Sequence, residues 1–220
     1  PGDAARIEEI RAAAVDTTSE KEAQGTQDTA PGFADYISGR ASLPFKLYFV
    51  LSGSPHDAQL AAALKLGRSR QEVAPGVVFL GQAVVGTIEC GLRVAALSGV
   101  YDRGTYRPPS SSSEDANVAA GDGAAFQRHY CKADIDEMLG SPEAVKPVDL
   151  FLSCEWGEGF DTLIPSSEVR PLPHALSPVV ADLARRLMPR HHLATGKFCF
   201  FKLPPYVNTD STDGASLHTT

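Results

Sequence analysis

The chain has 220 residues, 43% of them hydrophobic and 21% charged, which suits one globular domain with a sizeable core. Its formal net charge of -7 excludes broad, non-specific nucleic-acid binding, which needs a basic face that releases counterions, but leaves room for a local basic patch. The four cysteines (Cys90, Cys131, Cys154, Cys199) form no CxxC pair, so neither a zinc module nor a disulfide framework is indicated, and no run of about 18 apolar residues is present to span a membrane. The cysteines read as reduced thiols of an intracellular protein. The opening residues lack the basic flank and apolar core of a signal peptide. They begin on Pro-Gly-Asp with no strand ahead, which is the start expected of a fragment.

Residues 4–15 read as a helix with Ile7, Ile10 and Val15 on one face. The polar stretch 16–32 reads as a flexible loop. "FKLYFVLSG", 45–53, is the clearest strand, its continuous apolar run fitting a parallel sheet covered on both faces. A helix over 56–67 follows, with Gly67 in stop position. Strands are expected at 76–81 and 91–101, with a short strand at 82–90 turning at Gly86. The low-complexity, Ser-rich segment 107–123 reads as an exposed insertion. A helix over 126–140 leads into a strand at 147–156. Residues 167–177 form a loop, and Ser177 with Pro178 gives a strong start signal for a helix to 189. Residues 190–208 are strand-rich, and 209–220 read as an unstructured tail. Strands alternating with helices predict an α/β layered domain over 1–208 with partly parallel pairing.

The candidate chemistry lies in loops at strand ends, where α/β proteins place their sites. Gly2-Asp3, "SGSPHD" (52–57), "SCEW" (153–156) and "RHHLATGKF" (190–198) together hold Asp3, His56, Asp57, Cys154, Glu155, His191 and His192. All are ligand types for a Zn²⁺, Mn²⁺ or iron centre. Each alone is ordinary: an Asp after Gly is commonly a turn residue, and His-Asp before a helix is commonly a cap. His191 and His192 point to opposite faces of an extended segment, so both can hardly ligate one ion.

Taken in order, these loops resemble the calcineurin-like metallophosphoesterases. More narrowly, they resemble the lariat debranching enzyme and the N-terminal domains of the CwfJ family of spliceosome-associated proteins. The resemblance runs from about Phe33 to Asn208, and its best parts are "LPFKLYFVLSG", "VVFLG", "GLRVAALSGVYD", "PVDLFLSCEW" and "SPVVADLARRLMPRHHLA". The last, continued by "LPPYVN", is closer to the CwfJ proteins. Gly2-Asp3 stands as the remnant of the family's first motif, and the strand carrying its second is missing. The implied fold is a metallophosphoesterase sandwich, two sheets flanked by helices, incomplete at its N-terminal end.

The departures set the expected chemistry. A two-metal phosphoesterase holds its ions about 3.5 to 4 Å apart with carboxylate, Asn and His ligands. The family's Gly-Asn-His-Glu motif falls on Gly53-Ser54-Pro55-His56, so Ser54 and Pro55 replace the bridging Asn and the acid-catalyst His. Cys154 stands where a histidine is expected after the 148–154 strand. Gly196 and Phe198 replace both histidines of the closing motif, with Lys197 between them. The resemblance therefore implies a degenerate site with no metal or other cofactor. It implies a non-catalytic binding module of the nuclear splicing machinery, associated with the intron-lariat spliceosome and lariat turnover. Its partners would be spliceosomal proteins, the lariat debranching enzyme or intron-lariat RNA, met through Trp156 and a basic cluster of Arg185, Arg186, Arg190 and Lys197. An alternative keeps an enzyme: with Pro55 as a one-residue insertion, Asp3, His56, Asp57, Cys154 and His192 would form a shifted mononuclear site in a divergent RNA phosphodiesterase. A protein-only assembly scaffold is the third possibility.

Overall fold

A computed structural model describes residues 31–106, 125–160, 176–195, 202–203, 205–209 and 216–219. The expectations placed on Asp3, Gly196, Lys197 and Phe198, on the helix at 4–15 and on the segments 16–30 and 107–123 lie outside the described residues.

Two mixed sheets carry the fold. In the first, β1 (Leu47–Phe49) pairs parallel with β3 (Val77–Phe79), and β2 (Gln71–Ala74) pairs antiparallel with β3. The second has the order β4 (Ala83–Thr87), β5 (Arg93–Leu97), β6 (Leu150–Ser153), β7 (His191–Ala194). Its β4–β5 pair is antiparallel, and β5, β6 and β7 run parallel. A separate antiparallel pair joins β8 (Tyr206–Thr209) to β9 (Ser216–Thr219). The residues from 209 onward therefore contain a strand, where composition alone reads as an unstructured tail.

Strand alternation decides what each face buries. Val94 and Ala96 of β5 and Leu80 after β3 form one cluster, joined by Tyr48, Val50, Leu150 and Leu152, so this cluster lies between the two sheets. Leu51 and Phe79 point the other way and pack with Phe49 against α2 (Pro55–Leu64), to which α1 (Phe33–Ile37) adds Ala34 and Ile37. On the second sheet, Ala95, Leu97 and Phe151 meet α3 (Lys132–Gly140) and α4 (Pro178–Leu187) through Ile135, Met138, Val180, Leu183 and Leu187. Helices thus cover the outer faces of two facing sheets, an α/β arrangement built from alternation.

The helix signals act locally as expected, with two revisions, the first being that α2 stops at Leu64 with Lys65 left-handed (φ 54°), ahead of the expected stop at Gly67. Ser177 caps α4, accepting from the Val180 N–H at 3.2 Å, with Pro178 at the first helical position. By contrast α3 starts only at Lys132, because Asp134 turns back to accept the Cys131 N–H at 2.7 Å and so caps the helix there. Residues 126–131, expected as helix, instead run extended across the strand ends. Gly86 is not a turn either: it pairs with Val94 inside β4, and the chain reverses at Glu89–Gly91, where Gly91 has φ +84°.

Candidate functional site

The C-terminal ends of β1, β3, β5 and β6 converge, and they are stitched together directly. Leu51, after β1, accepts the Gly99 N–H at 2.7 Å and the Cys154 thiol at 3.2 Å through one carbonyl. Ser98 Oγ donates to Gly81 O at 2.6 Å and accepts the Leu51 N–H at 3.3 Å, so one buried hydroxyl links both sheets. The segment 126–130 then lies across these ends. The buried Gln82 amide donates to Gln127 O at 3.0 Å and accepts from Gln127 N at 2.9 Å. Arg128 O accepts the Val100 N–H at 2.9 Å, and Arg128 Nε donates to Gly53 O at 2.6 Å. Gly53 (φ +75°) and Gly99 (φ +91°) permit this approach, since a Cβ on either would stand 2.6 Å from the Arg128 carbonyl oxygen.

The residues at the metal-motif positions have structural work here. Ser54 is the N-cap of α2, its hydroxyl accepting the Asp57 N–H at 3.1 Å, and Pro55 occupies the first helical position. Asp57 Oδ2 accepts the Ser52 N–H at 2.7 Å, the Ser54 N–H at 3.4 Å and the Ser52 hydroxyl. Ser-Pro-His-Asp therefore closes a capping box, and its histidine, His56, is left exposed on the first turn. Cys154 is 5% exposed, and burial pushes its thiol up to about 12, so it is a neutral donor to Leu51 O.

Among the described members of the shifted metal site, His192 stands apart from Cys154. Cys154 reaches the first sheet, whereas the His192 ring stacks on Phe151 on the helix-covered side of the second sheet, with centroids 4.5 Å apart. His192 Nε2 lies 2.8 Å from Ser153 Oγ, and Ser153 Oγ donates to Glu155 O at 2.7 Å. That hydroxyl must accept from the imidazole, which fixes the Nε2–H tautomer and leaves Nδ1 buried without a partner. Burial lowers the His192 pKa to about 4. His191 is exposed on the opposite face. Among the described residues no three His, Cys, Asp or Glu side chains gather as a metal cluster. The donors present, a protonated thiol, a capping hydroxyl and a capping carboxylate, do not fit a two-metal centre.

Glu155 also has a structural role: its Oε2 accepts the Tyr101 N–H at 2.7 Å and the Tyr130 hydroxyl at 2.8 Å, and Tyr130 reaches Ser177 Oγ at 2.9 Å. Burial, aided by the Glu155 charge, raises the Tyr130 pKa far above its ordinary value. Trp156, expected to offer a stacking surface, is 6% exposed; its carbonyl accepts the Ser177 N–H at 2.8 Å and holds it beneath the start of α4. The basic cluster is also displaced. Arg185 and Arg186 pair with Asp182, and Arg190 lies 3.7 Å from Asp149 at the start of β6 and β7. They stand at the opposite end of the second sheet from the loops that hold Gly53, Gly99 and Cys154. Sequence reasoning missed Gln82, Ser98 and Arg128. The signal for Arg128 was the Cys-Lys-Ala-Asp spacing at 131–134, which starts the helix after it.

The chain is thus an α/β protein whose strand-end loops are closed by internal hydrogen bonds, with a loose relationship to metallophosphoesterase-like proteins. It is 32% identical over 184 residues to zinc finger CCCH domain-containing protein 59 of Oryza sativa subsp. japonica, covering 80% of this chain and 26% of that protein. It is 28% identical to zinc finger CCCH domain-containing protein 64 of Arabidopsis thaliana, covering 82% and 28%. With the lariat debranching enzyme of Schizosaccharomyces pombe it shares 25% identity over 195 residues, 83% of this chain and 39% of the enzyme. The chain therefore spans between about a quarter and two-fifths of the length of these relatives. No family model matches it. Among the described residues no helix is long and apolar enough to cross a membrane.

Proposed function

We propose that this chain is a non-catalytic, metallophosphoesterase-like binding module of the CwfJ type, acting in the nucleus in pre-mRNA splicing and intron-lariat turnover. The observation that carries this reading is the commitment of the strand-end donors to the fold. Ser54, Pro55 and Asp57 build the start of α2, and Cys154 bonds to Leu51 O as a neutral thiol. A site that used these positions for two cations would need free carboxylate, amide and imidazole ligands there. The distant likeness to a lariat debranching enzyme and to CCCH zinc finger proteins supports placement in RNA processing. The module would act by recognition, with spliceosomal proteins, the debranching enzyme or lariat RNA as its partners.

The test is metal titration. The chain is stripped with chelator, and Mn²⁺ and Zn²⁺ are titrated by calorimetry with elemental analysis alongside. The expected result is no stoichiometric binding at micromolar affinity and no cleavage of a 2′-5′-branched RNA. One or two tightly bound ions per chain with cleavage of that substrate would overturn the reading in favour of a divergent phosphodiesterase.

A further inference from the structure

The distribution of paired and unpaired guanidinium groups marks one face of the molecule. Among the described residues every arginine except Arg103 and Arg128 has a carboxylate within ion-pair distance, from Arg40 with Asp35 to Arg190 with Asp149. Both exceptions are exposed, and both lie where the parallel strands end. Arg103 is in the loop that continues β5, and Arg128 is in the segment clamped across β1, β3 and β5.

Arg128 is held in place for binding. Its Nε donates to Gly53 O at 2.6 Å and its own carbonyl is bonded to Val100, so its stem is fixed while both terminal amino groups stay uncommitted. Less rotamer freedom is then lost when a ligand binds. α2 begins next to Gly53, with His56 exposed on its first turn. Of the nearby carboxylates, Asp57 is taken by Ser52 and Ser54 and Glu155 by Tyr101 and Tyr130, while Asp102, beside Arg103, accepts the Thr105 N–H at 3.1 Å within its own loop.

We infer that this corner is a metal-independent phosphate site, in which the Arg128 fork, assisted by Arg103, binds the phosphodiester backbone of single-stranded RNA. A guanidinium matches two phosphate oxygens with parallel N–H donors, and it needs no cation to do so. The ligand class rests on the proposed RNA-processing role, while the site rests on the geometry. An overall charge of -7 limits binding to this local patch, so the affinity depends on few contacts and each counts.

The experiment is fluorescence anisotropy of a labelled single-stranded oligoribonucleotide in chelator, over a series of salt concentrations, with R128A, R128K, R103A and the distant control R185A/R186A. Urea unfolding of each variant separates lost binding from lost fold. R128A is expected to weaken binding about tenfold or more and to reduce the salt slope by about one phosphate contact. R128K, which can still donate to Gly53 O, keeps the fold but lacks the fork, so most of the loss remains. The control binds like the parent chain. Unchanged binding by folded R128A and R128K overturns the site. So does the absence of any RNA binding by the parent chain, or preference for a phosphoserine peptide over RNA. None of these outcomes touches the binding-module reading, which falls only to the metal titration.

Discussion

Lowering the pH should weaken the fold through His192. The neutral ring donates from Nε2 to Ser153, and Nδ1 is sealed without an acceptor, so a second N–H has nowhere to go. Its pKa is held down to about 4 by burial, against 6.5 for the free side chain. The unfolded chain binds the proton more readily, so stability is complete above about pH 6.5 and falls as the pH drops towards 4. At 1.36 kcal/mol per tenfold, the full difference is at most about 3.4 kcal/mol, and about 2 kcal/mol should be lost by pH 5. Urea titrations from about pH 7.5 to about pH 4.5 measure this directly. His192→Phe preserves the stack on Phe151, and Ser153 keeps its bond to Glu155 O, so the variant should flatten the profile over this window. Glu89, held down to about 2 by hydrogen bonds from Tyr48 and Lys46, acts only at lower pH and does not blur the comparison. If His192→Phe loses stability between pH 6.5 and 5 as steeply as the parent chain, the reasoning about the sealed nitrogen is wrong.

Two further perturbations test what closes the strand ends and what anchors α3. Gly99→Ala forces a Cβ against the Arg128 carbonyl at a φ of +91° and should cost about 1–3 kcal/mol, whereas Gly91→Ala, at φ +84° in open space, should cost about 1 kcal/mol; equal losses in urea would refute the close approach. Asp134→Ala leaves the Arg68 guanidinium buried without its partner at 2.8 Å and removes the α3 cap, so a loss of about 3–5 kcal/mol is expected in thermal or urea unfolding. Replacing both with apolar residues (Arg68→Met with Asp134→Leu) should recover most of it, and failure to recover would show that the cap outweighs the ion pair.

The sequence was most legible where local signals and burial agreed. The run at 45–53 contains β1, the helix at Ser177-Pro178 starts where its cap and proline place it, and the alternation in 147–153 matches β6. It was least legible where a partner distant in sequence decides the structure. β2 has little apolar character and exists because it pairs with β3 across the Pro75-Gly76 turn. β9 is polar and is ordered by β8. The segment 126–131 has helix-compatible composition but is drawn out by Gln82, Val100 and Gly53, residues about 28 to 75 positions away in the chain.

The candidate site was legible as a place more than as a set of roles. Position along the chain marked 52–57 and 153–156 as loops at strand ends; β1 and β6 belong to different sheets, and the Cys154 thiol bonded to Leu51 O is what brings the two ends together. Position could not tell ligand from cap, because the same types serve both: Asp57 reads as a candidate ligand and closes a capping box with Ser54, and Cys154 reads as a ligand and is a donor to Leu51. Nor could it separate Arg128 from the arginines of 185–190, since ion pairing is a property of the folded surface. That difference matters for function. An arginine already matched with Asp182 or Asp149 must give up part of that interaction to bind phosphate, whereas Arg128 gives up none. The residue best placed to meet an anionic partner is therefore one that neither motif spacing nor charge clustering singles out, and it lies across the loops that follow β1 and β5.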